Sequence, residues 1–256
     1  MTWSASQYVQ FEDDRTRPVR DLVAAIPTPT AAALVDLGCG PGNSTEVLSA
    51  RYPGAAVLGV DSSADMLDAA RARMPGATFV EADVGTWSPS TPPDVILANA
   101  VLHWLPDHRI LLPRLLGTLA PGGSLAIQMP ENMAESSQLA MDRTAAEGPW
   151  AAAIQAGAGF RVPMLSAFDT IDLLRPLAAR VDVWRTTYMH VLPGGPDAIV
   201  EWFKGSGLRP FLAPLAADQR AEFLARYRTK IAESYPLLGD GSVVLPFPRL
   251  FIVATR

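Results

Sequence analysis

The 256-residue chain has 21 basic and 26 acidic residues, a formal charge of −5, and 49% hydrophobic residues. That apolar fraction supports a sizeable core, whereas the thinly spread Lys and Arg argue against a nucleic-acid surface, which needs clustered cations to displace counterions. The single cysteine, Cys39, excludes a disulfide framework and a multi-cysteine metal site, and no run of about 18 apolar residues marks a membrane span. With no leader-like N-terminus either, the expectation is a soluble cytosolic protein that takes a small molecule and binds neither nucleic acid nor membrane.

The 23 prolines divide the chain into short elements. A helix-like PVRDLVAAI from Pro18 precedes the apolar run AALVDL, which ends at Leu37, and STEVLSARY follows as a second helix. The run AVLGVD, the helix ADMLDAARARM and the run ATFVEADV come next, then DVILANA, a leucine-rich helix from His108, and SLAIQM. Short apolar runs alternating with amphipathic helices predict an α/β fold, a doubly wound and mostly parallel sheet.

After Pro130 the rhythm breaks into a polar stretch, a helix over about 169–178, and the β-rich VDVWRTTYMHVL. Residues 193–246 read as a helical insertion on the substrate side. One helix starts at Pro196, presents Ile199, Trp202 and Phe203 on one face, and ends at Gly205; a second is capped by Asp218 and presents Leu224, Tyr227 and Ile231. The closing RLFIVATR reads as the last strand. The whole of 1–256 is expected to form one domain, with 1–17 as an N-terminal lid.

The stretch VDLGCGPGNS carries the first chemistry. Gly38, Gly40 and Gly42 allow a tight turn with close backbone approach to a ligand, and Asn43 with Glu46 has capping-box spacing. A dinucleotide loop needs glycine or alanine where Asn43 stands, and a P-loop needs Gly-Lys-Ser/Thr, which is absent. Asp36, inside the strand end, would repel a pyrophosphate and attract a cation. Asp61 ends the next strand, at the distance where an acid grips ribose hydroxyls, and Asp83 ends the third, able to take an exocyclic amine beside the backbone of Val84. Adenosine with a positive, phosphate-free tail describes S-adenosylmethionine (SAM).

DLGCGPGNS, GVDSSADML, FVEADV and the LAPGG turn resemble the class I SAM-dependent methyltransferases over about residues 33–130. The resemblance implies a Rossmann-like seven-stranded sheet with an antiparallel last strand. It also implies SAM contacts at Asp36, Gly38, Gly40, Asp61, Ser62, Met66, Asp83, Val84 and Asn99, and S-adenosylhomocysteine (SAH) as product, with no metal. Nearly the whole chain, through YVQFEDDRTRP, ANAVLHWLPDH, VDVWRTTYMHVLP, EWFKGSGLRPFL and FPRLFIVATR, is similar to the trans-aconitate 2-methyltransferase family. That family implies methyl transfer to a carboxylate of a small tricarboxylic acid, giving a monomethyl ester.

An ionised carboxylate needs no general base, so no catalytic residue is expected beyond those that position substrate. Donors for the remaining carboxylates are sought among His103, Trp104, Arg185, Tyr188, His190, Lys204 and Arg209. Trp104 reads equally as an aromatic covering the cofactor. Arg185 and Tyr188 have opposite parity on a strand, so one of them is structural. Lys204 reads as a solvated helix terminus, whereas Arg209 falls in an irregular loop and ranks above it. Tyr8, Phe11 and Arg17 are candidates to close over SAM, and Cys39 to pack as a small residue in the turn. Two other readings stay open: a methyltransferase for another small acceptor, and a SAM-binding module without catalysis.

Overall fold

The computed structural model describes residues 12–156 and 164–256, with side chains from Thr16 onward. Among the described residues seven strands form one sheet: β1 (Ala33–Leu37), β2 (Ala56–Asp61), β3 (Thr78–Glu81), β4 (Val95–Asn99), β5 (Ser124–Pro130), β6 (Arg180–Leu192) and β7 (Val243–Thr255). Their order is β3-β2-β1-β4-β5-β7-β6, and β1 to β5 pair in parallel. Strand β7 runs against β5. The Arg256 N–H donates to Gly123 O at one end and the Glu131 N–H to Pro248 O at the other, so numbers rise along one strand as they fall along its neighbour. The sheet is therefore mixed, with an antiparallel last strand. β1, β4 and β5 are buried along almost all of their length, which is why they read as unbroken apolar runs.

The α-helices are α1 (Glu12–Ala24), α2 (Asn43–Arg51), α3 (Ala64–Arg73), α4 (His108–Thr118), α5 (Ser136–Glu147), α6 (Ala151–Ala156), α7 (Ala167–Leu174), α8 (Pro196–Lys204), α9 (Arg209–Leu212) and α10 (Ala217–Ser234), with a 3₁₀ turn over Leu102–Trp104. Contacts divide the chain into two compact units. The first holds Met1–Pro130, Val162–Thr186 and Leu250–Arg256. Its core joins Leu37, Val60, Ile96, Ile127 and Ile252 of the strands to Leu112 and Leu115 of α4.

The second unit holds Glu131–Arg161 and Thr187–Arg249. Here α10 buries Phe223, Tyr227 and Ile231 at i, i+4 and i+8, and packs on α5 and α8. Trp150 is fully buried, donates its indole N–H to Thr144 O at 2.8 Å, tilts against Phe223 at 5.3 Å and lies under the Arg226 guanidinium. Among the described residues no helix is long and apolar enough to cross a membrane.

Several elements differ from the sequence expectation. Helix α1 starts at Glu12, six residues before Pro18, and carries that proline inside it. Helices α5 and α6 occupy the stretch read as polar: the buried face of α5 is made mainly of small or polar residues such as Ala140 and Thr144, and α6 buries only Ile154. Helix α7 spans Ala167–Leu174 rather than 169–178: the Ser166 hydroxyl accepts from the Asp169 N–H to start it, and Pro176 follows its end. Asp218 does not cap α10 but sits in its first turn, where the cap residue is Ala216 and the Gln219 side chain accepts from the Ala216 N–H. Strand β7 begins at Val243, before Pro246 and Pro248, prolines that argue against a strand at this point.

Candidate active site

The carboxyl ends of β1 to β4 all lie in the first unit, and the four acids and amides expected to meet SAM stand there. The loop after β1 is anchored on β2: the Gly38 and Cys39 N–H groups both donate to Val60 O, at 2.7 and 3.1 Å. Gly38 has φ +67°, and a Cβ at this residue would lie 2.4 Å from the Val101 side chain, so glycine is required on both counts. The Asp61 carboxylate ties two loops together. One oxygen accepts from the Gly40 N–H at 2.9 Å and the other from the Ser63 N–H at 3.0 Å, which leaves further lone pairs for a ligand.

Asp36 lies beneath this loop and is fully buried. Its Oδ2 accepts from the hydroxyls of Ser44 and Thr45, each at 2.7 Å, while Oδ1 has no hydrogen-bond partner among the described residues. Burial outweighs the two hydroxyls and pushes the carboxyl up to about 7. The negative charge that the sequence suggests here is therefore conditional, and forms fully only above neutral pH or beside a cation. Asn99, at the end of β4, is buried with its Oδ1 unpartnered among the described residues. The next residue, Ala100, holds the left-handed conformation with φ +52°.

After β3, the Asp83 carboxylate accepts from the Gly85 N–H at 2.8 Å, and its carbonyl accepts from Thr86 and Trp87. Arg114 of α4 donates to the carbonyls of Gly85 and Trp87, pinning this turn from behind. Met66 and Val84 are buried, whereas Ser62 and Asp83 are exposed. The loop offers no lysine for a phosphate. Two unpartnered oxygens and a multiply accepting Asp61 fit a ligand rich in hydroxyl and amino donors, as SAM is.

Of the acceptor-side candidates, His103 and Trp104 share the 3₁₀ turn with ring centroids 4.7 Å apart, and that turn is held by a hydrogen bond of 2.8 Å between Leu102 O and His108 Nε2. On β6, Arg185 is exposed and belongs to the first unit; Tyr188 is buried in the second and stacks on His190 at 6.3 Å. Arg209 is half-buried in the second unit and opens the one-turn helix α9, not an irregular loop. Lys204 does end α8, where it pairs with Glu201. Cys39 packs with Leu67, Ala70 and Phe79. Arg17 is exposed on α1; Tyr8 and Phe11 lie outside the described residues, as does most of the 1–17 segment.

Two expectations need correction at this site. Asn43 does not cap α2, because Gly42, at φ +90°, takes the cap position and Asn43 becomes the first helical residue, its amide donating to Thr16 Oγ1 at 3.3 Å. Glu46 correspondingly turns away to Arg73 rather than closing a capping box. Sequence reasoning also missed Ser44, Thr45, Ala100 and Arg114. The hydroxyls read simply as a helix start, and nothing local marks an alanine that must take positive φ or an arginine that reaches back 27 and 29 residues to a loop.

The fold and residues agree with known proteins. Residues 11–192 match the model of a methyltransferase domain family. A trans-aconitate 2-methyltransferase of Methylobacterium nodulans is 55% identical over 254 residues, covering 99% of this chain and 98% of its own. Among solved structures, the YcgJ protein of Bacillus subtilis superimposes with a TM-score of 0.61 at 12% identity, covering 94% of this chain and 98% of its own. A phosphoethanolamine N-methyltransferase 2 from Haemonchus contortus, solved with S-adenosylhomocysteine, has a TM-score of 0.53 at 17% identity, covering 95% of this chain and 52% of its own. With a methyltransferase-domain match over most of the chain and a relative of this identity along its full length, the chain belongs to the trans-aconitate 2-methyltransferase family.

Proposed function

We propose that the chain transfers a methyl group from SAM to a carboxylate of trans-aconitate, giving a monomethyl ester and SAH. The observation that carries this reading is the 55% identity to a trans-aconitate 2-methyltransferase, which runs through both units and not only through the glycine loop. When bound, SAM supplies a methyl group on a sulfonium, an electrophile that needs no further activation.

The chain's own residues then bind, orient and exclude water. Asp61 accepts from the ribose hydroxyls, with Ser62 beside it; Met66 and Val84 provide apolar cover for the base, and Asp83 accepts from its amine. Asn99 and the open oxygen of Asp36 face the amino-acid end, whose positive charge favours ionised Asp36, while Gly38, Gly40 and Gly42 let the backbone come close. A carboxylate with a pKa of about 4 is a ready nucleophile at neutral pH, so no side chain has to remove a proton. Rate comes from alignment and from loss of water around the two opposite charges. His103, Trp104, Arg185, Tyr188 and Arg209 are the candidates to hold the acceptor.

Purified protein incubated with SAM and trans-aconitate is expected to form the monomethyl ester and SAH in equal amounts by mass spectrometry, with slower turnover of cis-aconitate, citrate and isocitrate. No ester from trans-aconitate would overturn the reading.

A further inference from the structure

Two non-glycine residues hold positive φ among the described residues, Ala100 at +52° and Asp107 at +59°, and they bracket a single segment of the first unit. Ala100 follows β4 and donates its N–H to Gln128 O of β5 at 2.8 Å. The Val101 side chain fills the space where Gly38 lacks a Cβ, and the Leu105 side chain lies 3.8 Å from the position a Cβ would take at Gly85, in the turn that holds Asp83. The segment thus lies against both of the loops proposed to hold SAM, with His103 and Trp104 between its two contacts. Left-handed backbone is costly for a residue with a Cβ, and at Ala100 it persists only where the surroundings over-determine it.

His108 supplies the closing constraint. It is buried as the first residue of α4, directly after Asp107, whose carbonyl accepts from the N–H groups of Ile110 and Leu111. Its Nε2 lies 2.8 Å from Leu102 O, which also accepts from the Leu105 N–H at 2.9 Å, so both lone pairs of that carbonyl are used. A carbonyl has no proton to give, so Nε2 carries one, and Nδ1, which has no hydrogen-bond partner among the described residues, is left as the bare nitrogen. Leu102 itself is fully buried in the core of the first unit. The hydrogen bond therefore ties the base of the 3₁₀ turn, through a rigid ring in one tautomer, to the start of a helix.

We infer that His108 is a positioning residue for methyl transfer: through Leu102 it holds the 3₁₀ turn in the arrangement that sets His103 and Trp104 beside bound SAM and on the acceptor. This rests on the proposed methyl transfer and on His103 and Trp104 as residues that meet the acceptor. The nucleophile is already ionised and the sulfonium needs no activation, so the rate depends on alignment. A shift of about 1 Å in the turn would leave the contacts proposed at Asp61 and Asp83 in place and spoil the approach of the carboxylate to the methyl group. His108 therefore governs turnover of the acceptor and not affinity for the cofactor.

The test compares wild type, His108→Leu and His108→Gln, with SAM affinity by calorimetry and melting temperature alongside. Leucine keeps apolar volume and removes the donor, whereas the glutamine amide can put an N–H where Nε2 stands. His108→Leu is expected to lose about 30- to 100-fold in kcat/KM for trans-aconitate while SAM affinity stays within about threefold, and His108→Gln to recover most of that loss. In a Trp104→Leu background, His108→Leu should cost much less, because both act through one turn. His108→Asn, too short to reach Leu102 O, gives the same comparison where the leucine variant does not fold. NMR of wild type labelled at its histidine nitrogens has three imidazoles to assign and should show His108 protonated at Nε2. Unchanged kcat/KM in a folded variant without the donor, fully additive losses with Trp104→Leu, or a His108 proton on Nδ1 alone overturns the positioning role while the methyl-transfer reading stands. Absence of any ester from wild type overturns that reading, and the role with it.

Discussion

Asp61 illustrates how one carboxylate serves both fold and ligand. Because it already accepts from Gly40 and Ser63, Asp61→Ala removes the tie between two loops together with the proposed ribose acceptor. SAM affinity, measured by calorimetry, is expected to fall by about 100-fold, in line with the loss of hydrogen bonds to a charged group; unchanged affinity would remove Asp61 from the site. Asp36 offers a test through pH. Its folded pKa is raised to about 7, above the ordinary carboxylate value, so the folded state holds the proton more tightly than the unfolded state does. Stability from this group is complete below about pH 4, declines as pH rises to about 7, and is flat above. Asp36→Asn, which mimics the protonated form, should melt close to wild type near pH 4 and exceed it at pH 8, by a margin on the order of 4 kcal/mol at most. A difference that does not grow between pH 4 and pH 8, followed by thermal melts in the absence of SAM, would show that Asp36 is not strained when ionised.

At the scale of elements, the glycine loop makes a sharp internal comparison. Gly38 and Gly40 both have positive φ, yet only at Gly38 would a Cβ collide with another side chain, whereas at Gly40 it would enter open space. Gly40→Ala is therefore expected to cost about 1 kcal/mol from backbone strain alone. Gly38→Ala should cost clearly more and weaken SAM binding, because the loop must lift away from Val101. Equal melting temperatures for the two variants would contradict this packing. The loop's spacing and its place between strand and helix were legible in VDLGCGPGNS, but which glycine is held by its neighbour was not, since Val101 arrives from the turn after β4, 63 residues further along the chain. The helices α5 and α6 were illegible for another reason. The inward face of α5 uses mainly small and polar residues such as Ala140 and Thr144, and α6 buries only Ile154, so hydrophobic periodicity is faint; α5 is held by packing on α10, and α6 by packing on α5. In β7, prolines at 246 and 248 hid the first half of a strand that tertiary pairing nonetheless completes.

For the whole molecule, the proposed transfer to an already ionised carboxylate, which requires no base, predicts a flat pH profile. At saturating SAM and acceptor, kcat should be constant from about pH 6.5 to 9 and fall only as the acceptor carboxylate protonates, below about pH 5. A limb in kcat near pH 7 would reveal a general base, whereas one confined to kcat/KM for SAM would report Asp36 in the free protein. The sequence alone determined the alternation of strands and helices, and with it a doubly wound, mostly parallel sheet, because apolar runs of strand length between amphipathic segments have few other ways to be buried; the antiparallel last strand was implied only by the family resemblance. It also placed Asp36, Asp61, Asp83 and Asn99 at successive strand ends, since chain order and parallel pairing together dictate where a strand's last residue emerges. Only the tertiary structure decided what those groups have as neighbours: the hydroxyls that hold Asp36, the two N–H donors on Asp61, the turn pinned by Arg114, and the turn after β4 held by His108. Burial and electrostatic environment come from residues distant in the chain, and local spacing carries no record of them.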